Sequence, residues 1–131
     1  MKSYYYPIEK LPGISQGEIQ LFKINNITNT QELLEQTKTK EAQQLLANKL
    51  QIHLQYIKKW TALADLARIK SVGCQYAGLI LHSGIASVEQ FKHTPVPRIH
   101  RQILKLQVAT MQRRDLCPSI QDIQKWLEEA K

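Results

Sequence analysis

The hydrophobic pattern is clearest between Leu66 and Phe91. This stretch reads as a helix end, a tight Ser71-Val72-Gly73 hairpin, a second helix, a glycine stop at Gly84 and the start of a third helix. The chain carries the pattern twice. Leu11–Leu34 shifted by 58 residues falls on Ile69–Lys92 without a gap, pairing Leu11 with Ile69, Ile14 with Val72, Leu21 with Leu79, Ile27 with Ile85 and Leu33 with Phe91. The two stop positions, Asn26 and Gly84, hold the residue types that best tolerate the left-handed conformation closing a helix.

The remaining elements follow from the same periodicity. Pro12-Gly13 makes the first turn, and 17–25 is a short helix with Ile19, Phe22 and Leu21 facing inward. Thr28 with Gln31, Ser87 with Gln90 and Ser119 with Asp122 have the spacing of capping boxes. From Thr39 to Ile69 apolar residues recur at helical steps with no Gly or Pro. Such a run is either one long helix or two helices with a break near His53–Gln55, and its length favours two. Ala77 and Gly78 leave room for a neighbouring helix. Pro95 and Pro97 mark a break, since neither suits a helix interior. Arg98–Arg114 is then an amphipathic helix, with Arg98, Arg101, Lys105, Gln112 and Arg113 on one side and Ile99, Ile103, Leu104, Leu106, Val108 and Met111 on the other. The last helix places Ile120, Ile123, Trp126 and Leu127 on its apolar face, with Glu128–Lys131 as a solvated tail.

Both repeats resemble the helix-hairpin-helix motif, an apolar-x-Gly-apolar-Gly turn followed by a short helix. Each copy keeps one glycine of the pair: Gly13-Ile14-Ser15 in the first and Ser71-Val72-Gly73 in the second. The resemblance implies that hairpin amides at the second helix's N-terminus hold a phosphate, as helix N-termini can. The Lys or Arg that often completes such a site is missing, because the chain continues Gln16-Gly17-Glu18 and Cys74-Gln75-Tyr76. The fold expected is all-α. It has a first repeat at 8–36, a helical connector at 39–68, a second repeat at 66–92 and a C-terminal helix pair at 98–130, forming one pseudo-symmetric domain over 1–131.

Composition adds the sign of the partner. The formal net charge is +7, and from Lys92 to Arg114 there are Lys92, Arg98, Arg101, Lys105, Arg113 and Arg114 without one Asp or Glu. Such a run favours anionic partners: nucleic acid, an acidic protein or an anionic membrane surface. Hydrophobic residues make up 43% and charged residues 22%, an ordinary balance for a soluble globular domain. No apolar run reaches the length of a membrane span, and the start of the chain lacks a signal-peptide core. The two cysteines, Cys74 and Cys117, supply no disulfide framework, so a cytoplasmic location is expected.

No enzyme is expected. His53, His82, His93 and His100 share no metal-ligand spacing, and Asp65, Glu89, Asp115 and Asp122 form no paired-carboxylate motif. Cys74 opens a helix, where the dipole lowers a thiol pKa, yet its default role is packing. Neither a metal nor a cofactor is expected. Tyr4, Tyr5 and Tyr6 either stack on bases or cover a core edge.

The second hairpin Ile69–Leu79, Arg113-Arg114-Asp115-Leu116-Cys117-Pro118 and the ending Gln124–Lys131 together resemble domain of unknown function 4332, in a cyanobacterial type. That resemblance implies the double-hairpin helical fold and brings no activity with it. Two functions stand. In one, Gly13, Ile14, Ser15, Ser71, Val72 and Gly73 touch the phosphates of DNA or RNA, and the basic residues add charge, giving backbone binding with little sequence preference. In the other, the hairpins are architecture and the basic helix docks an acidic partner in a protein assembly. A basic stripe that is merely solvated would carry acids among its bases for pairing along the helix.

Overall fold

The computed structural model describes residues 1–109 and 117–131 and is all-α, with no strand among the described residues. After a single 3-10 turn at Ile8–Lys10, the helices are α1 (Gln16–Ile24), α2 (Thr30–Gln36), α3 (Lys40–Leu50), α4 (Leu54–Ala67), α5 (Gly73–His82), α6 (Val88–Lys92), α7 (Val96–Ala109) and α8 (Ile120–Ala130).

The centre is α4. Ile57, Trp60, Ala62, Leu63, Ala64, Leu66 and Ala67 are all buried, so most of its circumference is covered by protein. It packs against α2, α3 and α5, while α8 lies on α6 and α7. One cluster of buried apolar residues runs from Ile8 to Ala130, with Trp60, Phe22 and Phe91 its largest fully enclosed side chains. The stretch expected to be a connector between repeats is thus the middle of the core. The break within it falls at Gln51–His53, slightly earlier than the periodicity suggests. Gln51 takes a left-handed conformation (φ 56°), and the His53 ring nitrogen accepts the Gln55 amide at 3.1 Å to start α4.

The 58-residue repeat holds at the level of backbone bonds. Leu11 N–H donates to Ile8 O as Ile69 N–H does to Leu66 O, both at 3.2 Å. Ile27 N–H reaches back to Phe22 O as Ile85 N–H does to Ile80 O, at 2.8 and 3.3 Å. Asn26 (φ 64°) and Gly84 (φ 109°) are the left-handed stops. The first-repeat counterpart of the end of α4 is only the 3-10 turn, but its side chains are equally enclosed: Ile8 and Leu66 are both fully buried. Leu21 and Ile120, both expected to face inward, are exposed. Near Gly78 an added Cβ would meet Pro12 at 3.7 Å, so it is the first turn, not a neighbouring helix, that approaches this small residue.

The helix ends depart from the sequence expectation in three places. The cap of α2 is Asn29, accepting Glu32 N–H at 2.8 Å, one residue later than Thr28 with Gln31. This register matches Ser87 and Gln90 in the second repeat, where Ser87 Oγ accepts Gln90 N–H at 3.0 Å. Pro97 lies inside α7, in the first turn, where its missing N–H has no intrahelical partner to lose. Ala130 is buried and Glu129 half-buried, so the end of the chain belongs to α8 and the core. The predicted end of α7 at Arg114, together with Arg113, lies outside the described residues.

The two stops should respond differently to substitution. Gly84→Ala is expected to destabilise by about 1–2 kcal/mol, the conformational cost of a left-handed alanine, since an added Cβ meets nothing within 4 Å. Asn26→Gly should change stability by less than about 0.5 kcal/mol, because asparagine already tolerates that conformation. Urea unfolding of both variants checks this, and equal effects would refute the role given to Gly84.

Candidate functional site

The two hairpins start from similar sequence but turn differently. In the first, Ile14 N–H bonds Leu11 O at 3.3 Å across Pro12-Gly13, with Gly13 at φ 82°. Proline followed by a positive-φ glycine at the two central positions is the pattern of a type II turn. In the second, Val72 N–H and Gly73 N–H both bond Ile69 O at 3.0 Å, and the left-handed residue is Gly73 (φ 53°). Each copy has kept the glycine that its own turn requires. An added Cβ on Gly73 would also stand 3.2 Å from the Tyr6 hydroxyl, so Tyr6 lies over the second hairpin. Burial, and secondarily Cys74, raises the Tyr6 phenol pKa. Tyr5 is exposed, whereas Tyr6 packs against the core.

Both hairpins already hold a carboxylate. In the first, Glu18 accepts Ser15 N–H at 3.2 Å and Ser15 Oγ–H at 2.9 Å, completing a capping box with Glu18 N–H to Ser15 Oγ. Its other oxygen accepts Trp60 Nε1–H at 2.8 Å, tying α1 to α4. In the second, Glu129 of α8 accepts Ser71 N–H at 2.9 Å and Ser71 Oγ–H at 2.7 Å. Negative charge at a helix N-terminus is favourable whether it comes from a ligand or from the protein. Ser15-x-x-Glu18 was readable as a capping box; nothing local in the sequence points from Ser71 to Glu129.

The basic residues gather elsewhere. Lys92, Arg98, Arg101 and Lys105 are exposed. Lys92 pairs with Glu89 at 3.6 Å, and His93 bonds the same carboxylate at 2.9 Å. Among the described residues no Asp or Glu lies within 4 Å of Arg98, Arg101 or Lys105. Arg113 and Arg114 lie outside the described residues. Arg98 and Lys105 line two clefts of about 300 Å³ each, which meet at Gln102. Gly84, Ile85, Gln90, His93 and Thr94 wall the first, and His82, Ser83 and Leu106 the second. The clefts therefore adjoin the C-terminal end of α5, whereas Ser71–Gly73 sit at its N-terminal end, about 15 Å away along ten residues. Gln102 Oε1 is buried without a hydrogen-bond partner, an arrangement that costs about 1–3 kcal/mol.

A depression of about 630 Å³ lies among α2, α4 and the start of α6 and carries mixed charge: Lys38, Lys58 and Arg68 beside Glu35 and Asp65. Asp65 is structural. It bonds Arg68 at 2.7 Å and accepts Val88 N–H at 2.8 Å, fastening α6 to α4. Cys74 is half-buried, and burial raises its thiol pKa against the weaker opposing pull of Lys10. Among the described residues no three of His, Cys, Asp and Glu stand close enough to hold a metal ion, and no helix is long and apolar enough to cross a membrane.

Two measurements test these assignments. Glu129→Ala leaves the Ser71 amide without its acceptor and should destabilise by about 1–3 kcal/mol, with faster amide exchange at Ser71. An unchanged exchange rate would refute the contact. The Glu89 carboxyl is held below the usual carboxylate range by the His93 hydrogen bond first and Lys92 second. A depressed folded pKa stabilises above the unfolded pKa and is lost as pH falls through the folded one. A carbon-detected NMR titration should therefore place the Glu89 midpoint below 4.5, and His93→Ala should move it upward. The same midpoint in both proteins would remove His93 as the cause.

No curated protein and no solved structure matches the chain. Residues 12–131 match the family described as domain of unknown function (DUF4332), and the protein belongs to that family.

Proposed function

We propose that this domain is a non-enzymatic docking module in an assembly: two degenerate helix-hairpin-helix units serve as architecture, and the basic face of α7 receives an acidic protein partner. The observation that carries this reading is the carboxylate at each hairpin, Glu18 over Ser15 and Glu129 over Ser71. A phosphate arriving at either hairpin would meet negative charge, and the Ile14, Ser15, Ser71, Val72 and Gly73 amides there are already bonded. The basic residues, Arg98, Arg101 and Lys105, stand on a separate helix with no described acid beside them, leaving their charge available to a partner.

That same uncompensated charge supports a second reading, in which α7 alone holds nucleic-acid backbone without help from the hairpins. Fluorescence anisotropy separates the two. Labelled poly-glutamate and labelled single- and double-stranded DNA and RNA are titrated at several salt concentrations. Wild type is compared with a folded Arg98→Gln/Arg101→Gln/Lys105→Gln variant. Docking of an acidic protein predicts poly-glutamate binding that the variant loses by tenfold or more, with nucleic acid bound at least tenfold more weakly at matched charge. Micromolar nucleic-acid binding with a steep salt slope would overturn the proposal in favour of the second reading.

A further inference from the structure

The two clefts along α7 have a chemistry more specific than charge. Arg98, Gln102 and Lys105 fall on one strip of the helix, and among the described residues Gln102 alone lines both clefts. Arg98 and Lys105 are seven residues apart, about 10 Å along the axis. That distance is about three residues of extended peptide. Opposite this strip are the last turn of α5 with His82 and Ser83, the Gly84 stop, and the end of α6. The His93 ring is already bonded to Glu89, so the positive charge comes from Arg98 and Lys105.

Between these two cations lies the orphaned acceptor, Gln102 Oε1. Buried acceptors are nearly always bonded, and one that is not asks for a donor. Gln102 lines both clefts, and the terminal torsion of glutamine has a broad minimum, so a turn of its amide can offer this oxygen to a bound ligand. A DNA backbone offers phosphate acceptors and no donor there. An extended acidic peptide offers both parts at once, carboxylates for Arg98 and Lys105 and a main-chain N–H between them for Gln102.

We infer that the Gln102 cleft is the seat of the acidic partner, binding an extended run of about three residues with carboxylates at its two ends and a main-chain N–H donated to Gln102 Oε1. This rests on the docking function proposed above. The larger depression on α4 does not suit the same ligand, because Glu35 and Asp65 would face its carboxylates.

The test is a nitrogen-15 NMR titration of the whole chain with capped hexaglutamate. A hexaglutamate N-methylated along its backbone and a six-residue oligothymidine serve as comparisons. The expected result is saturable shifts at Ser83–Ile85, His93, Thr94 and Gln102. Gln102→Leu should weaken hexaglutamate about tenfold at unchanged net charge, and the N-methylated peptide should bind wild type about tenfold more weakly. The methylated peptide keeps the test valid should the leucine variant fold poorly. Shifts confined to Lys38 and Lys58, or full affinity for the methylated peptide, would overturn the cleft assignment and leave docking of an acidic partner standing. No shifts with hexaglutamate, or tighter binding of oligothymidine at the same residues, would overturn both.

Discussion

The need to bury α4 on most of its circumference governs the molecule. Its buried surface combines bulky Ile57, Trp60, Leu63 and Leu66 with small Ala62, Ala64 and Ala67. Each neighbouring element answers a stretch of that surface. The first repeat adds a polar constraint to the packing, because Trp60 carries an N–H that burial would leave costly without an acceptor. Glu18 provides it, and the same carboxylate closes the first hairpin. The position of α1 is thus fixed both by apolar contact and by one shared anion.

This sharing explains how two repeats with one glycine at each turn can still fold. A hairpin that must admit a ligand needs bare amides at its tip. One that is only a joint can satisfy them internally, and its turn is then free to follow local chemistry. Pro12-Gly13 and Ser71-Val72-Gly73 turn by different routes, yet both deliver the following helix to the same stop, bonded back across Asn26 or Gly84. The second repeat differs in where its anion comes from: Glu129 reaches Ser71 from the far end of the chain.

Much of this fold was legible in the sequence because its signals are local. The left-handed stops, the Ser119 cap and the two-helix division of 39–69 each depend on residues a few positions apart, and the repeat is the same local pattern met twice, 58 residues apart. The misplaced cap at Thr28 came from treating that segment alone; the register of the second repeat, Ser87 with Gln90, points to Asn29 with Glu32. What sequence could not supply were pairings between distant residues. Trp60 with Glu18, Ser71 with Glu129 and Val88 with Asp65 leave no periodic trace, since a single side-chain bond imposes no pattern on its surroundings. The basic residues were visible as a run, but the cleft centred on Gln102 depends on how α7 meets the end of α5.

The unequal origin of the two carboxylates gives the halves different folding histories. Ser15 and Glu18 are three residues apart, so the first hairpin can close within its own segment at small loop entropy. The Ser71–Glu129 contact spans 58 residues and cannot form before α8 has docked. Contacts of such separation slow folding and are absent from early, locally assembled states. The second hairpin therefore passes through a stage in which its amide is bare, and any opening that lifts α8 returns it to that stage while the first hairpin remains closed.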